Sequence, residues 1–317
     1  MARILLTSKL FDASLGALVD HELVLPKPEG SMTTEEIIES ARDTDAIICQ
    51  LTDHIGETVL SACPQLKVVA TVSVGFNNVD VAAATRAGIP VCNTPGVLTE
   101  TTADLAFALI LAACRVLSDS ERDLRRGGYK RWELDGYLGQ DVYGATLGLV
   151  GYGRVGQAVA KRAEGFSMRV IHYDLVPSGL PGWVDDLDEL LAQVDIVSLH
   201  VPLSAETRHL IDARRLALMK PTAVVVNTSR GPVVDEEALA GALESGRLFG
   251  AGIDVYENEP IVHPRLLNAP RAVLLPHIGS ASFATRLAMA TLATSAVAEV
   301  LAGGRPPNTV NPEVFAN

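Results

Sequence analysis

From residue 1 to about 97, short runs of aliphatic and β-branched residues (ARILLTS, HELVLP, AIICQL, KVVATVS, IPVCNTP) alternate with helix-patterned segments such as TTEEIIESARD and VDVAAATRAG. Alternation at this interval predicts βαβ units around a parallel sheet. The pattern then changes. Residues 98–126 predict one long helix: Thr101-Thr102-Ala103-Asp104 has the form of a capping box, Leu105 to Cys114 is an unbroken apolar run, and Ser118 to Arg126 is charged ahead of Gly127-Gly128. A helix with so apolar a middle is expected to be covered on most sides. Its place between two α/β stretches predicts that it crosses between domains and contributes to a dimer.

A second alternation follows, with ATLGLV, VIHY, DIVSLHVP, TAVVVNTS, GAGIDVY and AVLLPHI as strands and DDLDELLAQV, DARRLALMK and DEEALAGALESG as helices. These make six or seven strands, enough for a complete doubly wound sheet. A last helical run, Phe283 to Leu301, precedes a Gly/Pro-rich tail expected to return to the first domain. The fold class expected is α/β, with two doubly wound parallel-sheet domains.

Composition narrows the partners. At 317 residues, with 48% hydrophobic and 20% charged residues, the chain has material for two cores. A net charge of −12 argues against nucleic acid and against an anionic membrane as partners. Cys49, Cys63, Cys92 and Cys114 are scattered in apolar runs without CxxC spacing, the pattern of reduced core cysteines, and no metal is implied. The N-terminal residues read as a strand with no signal-peptide pattern, and Leu105 to Cys114 is too short to cross a bilayer, so a cytoplasmic protein is expected.

The most informative stretch is residues 145–174. An apolar run from Ala145 to Val150 enters Gly151-Tyr152-Gly153-Arg154-Val155-Gly156, and a helical stretch leads to a second apolar run closing on Asp174, 23 residues after Gly151. Strand, glycine turn, helix, strand and acid at this spacing predict a dinucleotide site. Gly151 permits the tight turn, Gly153 lets backbone approach a pyrophosphate, and Gly156 lets helix and strand pack closely. The helix N-terminus offers free N–H groups and a positive dipole end. Ligands of such sheets bind beyond the carboxyl ends of the strands, where this chain gathers His200-Val201-Pro202, Asn227-Thr228-Ser229-Arg230, Asp254 to Glu259 and Pro276-His277.

Arg230, Glu259 and His277 stand out among them. Reduction of a ketone by a nicotinamide requires hydride at carbon, a proton at oxygen, and a cation to orient a substrate carboxylate. Histidine is the natural acid near neutral pH, and a carboxylate beside an imidazole favours the charged, proton-donating form. An arginine fork fixes the plane of a 2-oxo acid.

With these residues in view, the chain resembles the D-specific 2-hydroxyacid dehydrogenases over essentially its whole length. The carrying motifs are GYGRVG with Asp174, HVPLSAETRHLI (200–211), MKPTAVVVNTSRGPVVDEEAL (219–239), GAGIDVYENEP (250–260) and LLPHIGSAS (274–282). The resemblance implies a flavodoxin-like substrate domain (1–97 plus 284–317) closing over a Rossmann NAD-binding domain (98–283), joined by interdomain helices. It implies Arg230, Glu259 and His277 as the catalytic set. It places the cofactor on Gly151, Gly153, Arg154, Val155, Gly156, Asp174, Val201, Pro202, Thr207, Thr228, Ser229, Arg230, Asp254 and His277. The SVGFNNVD loop (73–80) resembles the family segment whose N–H groups hold the substrate carboxylate, pointing to Val74 and Gly75 beside Arg230 and His277. Many relatives have Asp where Asn77 stands here.

Within the family, the stretch around GYGRVG, the tail TVNPEVF and Trp132 look most like glyoxylate and hydroxypyruvate reductases. Trp132 is either an aromatic that reaches a neighbouring subunit's site or a packing residue at the end of the long helix. Formate dehydrogenases have Gln in the position of Glu259, so Glu259 argues for keto-acid reduction. Asp174, with no Lys or Arg between Arg169 and Arg208, argues for NAD(H) over NADP(H). The expected protein is a homodimeric NADH-dependent reductase of a small 2-oxo acid. Alternatives are dehydrogenases acting on D-lactate, 2-ketogluconate or D-3-phosphoglycerate, or an NAD-sensing protein of the co-repressor type.

Overall fold

The computed structural model describes residues 1–25, 32–177 and 179–316. The chain divides into two compact units, Met1–Leu98 with Ala281–Asn317, and Thr99–Ser280.

The first unit holds β1 (Arg3–Leu6), β2 (Glu22–Val24), β3 (Ala46–Cys49), β4 (Val68–Thr71) and β5 (Val91–Cys92) in the order β2-β1-β3-β4-β5, all parallel. This is the flavodoxin-like order. Every residue of β3 and β4 is buried, as a sheet covered on both faces demands. One face carries helices Thr34–Ala41, Glu57–Ala62 and Val81–Arg86, which bury Ile37, Val59 and Ala84. The first of these begins with a reciprocal cap, in which the Thr33 hydroxyl accepts from the Glu36 N–H and the Glu36 carboxylate accepts from the Thr33 N–H. The other face carries Phe283–Leu301. That helix is long and apolar enough to cross a membrane by composition, yet Ala290, Ala293, Ala296 and Val297 lie in the core against β3 and β4 residues. The tail after it pairs with β5: the Val310 N–H donates to the Val91 carbonyl, and the Asn311 side chain accepts from the Val91 N–H at 2.7 Å.

The second unit holds β6 (Thr146–Val150), β7 (Arg169–Tyr173), β8 (Ile196–Leu199), β9 (Val224–Asn227), β10 (Gly250–Ile253) and β11 (Ala272–Leu274) in the parallel order β11-β10-β9-β8-β6-β7. A single parallel bridge, His172 to Trp183, extends the sheet past β7. The winding reverses between β6 and β8, so the crevice for a ligand lies beyond their carboxyl ends.

Two expectations for residues 98–126 are corrected. The segment forms two helices, Thr99–Cys114 and Leu117–Arg125, bent by 64° at Val116, which takes a left-handed φ of 54°. The Cys114 carbonyl accepts from the returning Gln140 N–H at 2.7 Å, which ends the first helix there. Its start also falls earlier than the Thr101 cap, leaving Asp104 inside the helix, where it pairs with Arg162 at 2.6 Å. The apolar run is covered within its own unit. Ala106, Phe107, Leu109, Ile110 and Ala113 pack with Leu147, Leu149, Val224 and Val226 of the unit's own sheet. Burial of each Leu or Ile there contributes about 1.5–3 kcal/mol to the unit's own core.

Candidate active site

β6 is followed by Gly151, whose φ of 92° L-residues rarely adopt. A Cβ there would lie 2.7 Å from the His200 carbonyl carbon, so the glycine turn rests directly on the backbone that follows β8. At Gly156 a Cβ would fall 2.3 Å from the Gly151 carbonyl oxygen. At Gly153, which precedes the helix Arg154–Glu164, a Cβ would meet nothing within 4 Å. Two glycines of the triplet thus serve chain packing, and the middle one faces open space at a helix N-terminus, the arrangement a pyrophosphate requires. The Arg154, Val155 and Gly156 N–H groups head this helix, whose ladder begins with Gln157 donating to the Gly153 carbonyl. Beneath the turn, burial pushes the His200 imidazole down to about 4, and its buried Nε2 has no partner among the described residues.

Asp174, just past β7, accepts from the Tyr152 N–H through one oxygen at 2.9 Å and from the Leu175 N–H through the other at 2.8 Å. The carboxylate is therefore fixed against the glycine turn. Along the opposite wing, Val201 is buried and Pro202 exposed. Thr207 is buried with its hydroxyl donating to the Pro202 carbonyl and accepting from the Ser204 N–H, so it shapes this loop. The buried Thr228 hydroxyl has no partner among the described residues. An orphaned hydroxyl, an open glycine and a fixed carboxylate suit a dinucleotide.

Three adjacent strands carry the polar set: Arg230 follows β9, Glu259 follows β10 and His277 follows β11. Arg230 donates through Nη1 to the Ser229 carbonyl at 2.7 Å. Asn227, which the sequence reading left without a role, brackets this turn. Its side chain accepts from the Ser229 N–H and hydroxyl and donates to the Arg230 carbonyl. An Asn at a strand end before Ser is a local signal for such a turn. Burial pushes the Arg230 guanidinium down while Glu259 pulls it back up; it stays a cation.

His277 Nδ1 lies 2.8 Å from Glu259 Oε2, and the other Glu259 oxygen accepts from the Tyr256 N–H at 3.0 Å. Burial works to raise the Glu259 pKa, but the His277 contact, the Tyr256 N–H and the Arg230 charge outweigh it and hold the carboxyl below its ordinary range. A carboxylate only accepts, so Nδ1 donates and Nε2 is left for a ligand. The backbone at His277 is left-handed, with φ 52°. Asp254 holds it there: its carbonyl accepts from the His277 N–H, and its fully buried carboxylate accepts from the Ile278 and Gly279 N–H groups at 2.7 and 2.8 Å. Asp254 thus braces the histidine loop.

Val74 and Gly75 belong to the first unit, in the loop after β4. Asn93 donates to the Val74 carbonyl at 2.7 Å and the Ser73 hydroxyl to the Gly75 carbonyl at 2.6 Å. In a trans peptide the N–H points opposite its carbonyl, so these contacts turn the Gly75 and Phe76 N–H groups outward. Trp132 is 73% exposed. Among the described residues no group of three or more His, Cys, Asp or Glu is placed to hold a metal ion.

Comparison with known proteins bears on this geometry. Residues 107–279 match the model of the D-isomer-specific 2-hydroxyacid dehydrogenase, NAD binding domain. A glyoxylate reductase of Korarchaeum cryptofilum is 47% identical over 320 residues, covering 98% of this chain and 96% of that one. The crystal structure of the TT0316 protein from Thermus thermophilus is 43% identical, with a TM-score of 0.92 over 97% of this chain and 99% of that one. An NADPH-dependent glyoxylate/hydroxypyruvate reductase from Sinorhizobium meliloti, solved with NADP and malonate, is 35% identical, with a TM-score of 0.88 over 98% and 97% of the two chains.

Proposed function

Given that the chain belongs to the D-isomer-specific 2-hydroxyacid dehydrogenase family, we propose that it reduces a small 2-oxo acid, glyoxylate or hydroxypyruvate, with NADH. The observation that carries this reading is the 2.8 Å contact between His277 and Glu259 on strand ends next to the one that bears Arg230. Bound NADH supplies the hydride. Arg230 grips the substrate carboxylate through paired N–H groups and fixes the plane of the ketone. His277 delivers a proton from Nε2 to the ketone oxygen, while Glu259 holds the ring by Nδ1. The substrate-domain loop at Val74 and Gly75 is assigned as an acceptor of anions through its outward N–H groups. Thr207 and Asp254 act on the cofactor side by shaping the loops they brace.

The preference for NADH rests on Asp174. Its carboxylate, already fixed by two N–H groups, accepts from ribose hydroxyls and repels a 2′-phosphate, and no Lys or Arg between Arg169 and Arg208 offsets that repulsion. With a panel of 2-oxo acids, kcat/KM is expected to be highest for glyoxylate or hydroxypyruvate. NADH is expected to exceed NADPH by about tenfold or more, a difference of about 1.4 kcal/mol. Absence of turnover with every acid sinks the reductase reading; a preference for NADPH sinks the role of Asp174.

A homodimer is proposed on different grounds from the buried helix. The helix Leu117–Arg125 buries no residue, and Trp132, Leu134 and Leu138 are 73%, 82% and 67% exposed on the segment that follows. Apolar groups so concentrated are commonly covered by a partner, here a second copy. Sedimentation equilibrium is expected to give twice the chain mass of 33.6 kDa, and Leu138→Glu to shift it toward the monomer. A monomer at micromolar concentration in the unaltered protein refutes the assignment.

A further inference from the structure

Three stretches of the recognised motifs have no part in the chemistry above: the end of HVPLSAETRHLI, the glutamates of VVDEEAL and the first glutamate of VYENEP. The fold brings them together. Glu257, two residues before Glu259, splits its carboxylate between two other segments. One oxygen lies 3.0 Å from His209 Nε2, and the other accepts from the Glu236 N–H at 3.0 Å. Glu236 returns the contact: its carboxylate accepts from the Glu257 N–H at 2.5 Å and from the His263 N–H at 3.2 Å, on the far side of Pro260.

Glu236 is buried and Glu257 nearly so, so these contacts form away from competing water. Burial works to raise the Glu257 pKa, but the Glu236 N–H and His209 outweigh it and keep the carboxyl below its ordinary range. His209 is tied in turn to the Arg230 turn, since its N–H donates to the Pro232 carbonyl at 2.7 Å and its φ is left-handed at 48°. The same turn abuts the Glu259 loop directly, for a Cβ on Gly231 would lie 1.9 Å from the Tyr256 carbonyl carbon. Each end of the loop that carries Glu259 is therefore fastened to segments flanking Arg230.

We propose that His209, Glu257 and Glu236 form a clasp of positioning residues that holds the Glu259 loop so that its carboxylate meets His277. The clasp rests on the reading of Glu259 and His277 as a working pair, but its test need not. In protein labelled with ¹⁵N-histidine, the His277 Nδ1–H resonance, assigned by its loss in His277→Ala, reports the contact with Glu259 directly. His209→Ala is expected to displace or broaden that resonance and to lower kcat by about ten- to a hundredfold, as a misplacement near 1 Å does, with the NADH dissociation constant unchanged. His209→Gln, whose amide can replace the Nε2–H, is expected to restore both. Glu257→Gln, of the same shape, is expected to shift the resonance in the same direction and decides the matter if His209→Ala does not fold. A wild-type resonance or a wild-type kcat in the folded variant overturns the clasp. If the unaltered enzyme turns over no 2-oxo acid, the reductase reading fails, and the resonance alone decides the clasp.

Discussion

Replacing His277 with alanine is expected to lower kcat for 2-oxo acid reduction by about 10³-fold, within the range lost with a general acid, while the NADH dissociation constant stays within about threefold. The expectation follows from how the site divides its tasks. The glycine turn, Asp174 and the Thr228 hydroxyl, which has no partner among the described residues, follow β6, β7 and β9, none of which depends on the imidazole. In the proposed reaction the proton comes from the imidazole: Nδ1 is committed to Glu259 at 2.8 Å, which leaves Nε2 to deliver it. The main chain of the loop is held independently by Asp254 through three consecutive N–H groups, so truncation of the ring leaves the loop in place. His277→Asn, which tolerates a left-handed φ better than alanine, separates loss of the acid from backbone strain and is expected to be equally slow. Glu259 sharpens the case. Its pKa is depressed, so its support of the imidazole is fully present above the ordinary carboxylate range and is lost only as pH falls through the lowered value. Steady-state rates and a titration of NADH fluorescence measure the two constants. A kcat within tenfold of the unaltered enzyme removes His277 from the proton-transfer step.

The alternation of strands and helices was legible because a parallel sheet covered on both faces must be apolar at nearly every strand position, as β3, β4, β8 and β9 are. The glycine turn was legible for a similar reason. Backbone contacts as close as those of Gly151 and Gly156 leave room for one residue type, so the constraint is written in the sequence itself. What was not legible depends on partners distant along the chain. No Gly or Pro marks the bend at Val116, because the helix is ended by a hydrogen bond from Gln140. Asp254 and Thr207, which the resemblance places at the cofactor, also bind backbone N–H groups and a carbonyl of their own loops, contacts that no local pattern announces. His209 and Glu257 are 48 residues apart and meet only in the folded chain, which no local pattern encodes. Strand ends could therefore be nominated from sequence, whereas the contacts that hold their side chains in place required the fold.

Arg230→Ala is expected to lower kcat/KM for the 2-oxo acid by about 10²–10³-fold, a loss of about 3–4 kcal/mol of the kind seen when one member of a desolvated charge pair is removed. The guanidinium is half-buried on an extended residue at the end of β9 and uses one N–H on the Ser229 carbonyl, leaving others for a planar carboxylate. Both its conformation and its charge are set by neighbours: Asn227 brackets the turn, and Glu259 offsets part of the cost of burial. Lysine keeps the charge without the fork, so Arg230→Lys is expected to recover binding more than rate: KM returns toward the unaltered value while kcat stays depressed, because a point charge does not fix the plane of the ketone for proton delivery. The substrate-independent constant, NADH dissociation, is expected to change less than either. If Arg230→Lys restores kcat and KM together, orientation by the paired N–H groups is not what Arg230 contributes, and its part in the site reduces to charge.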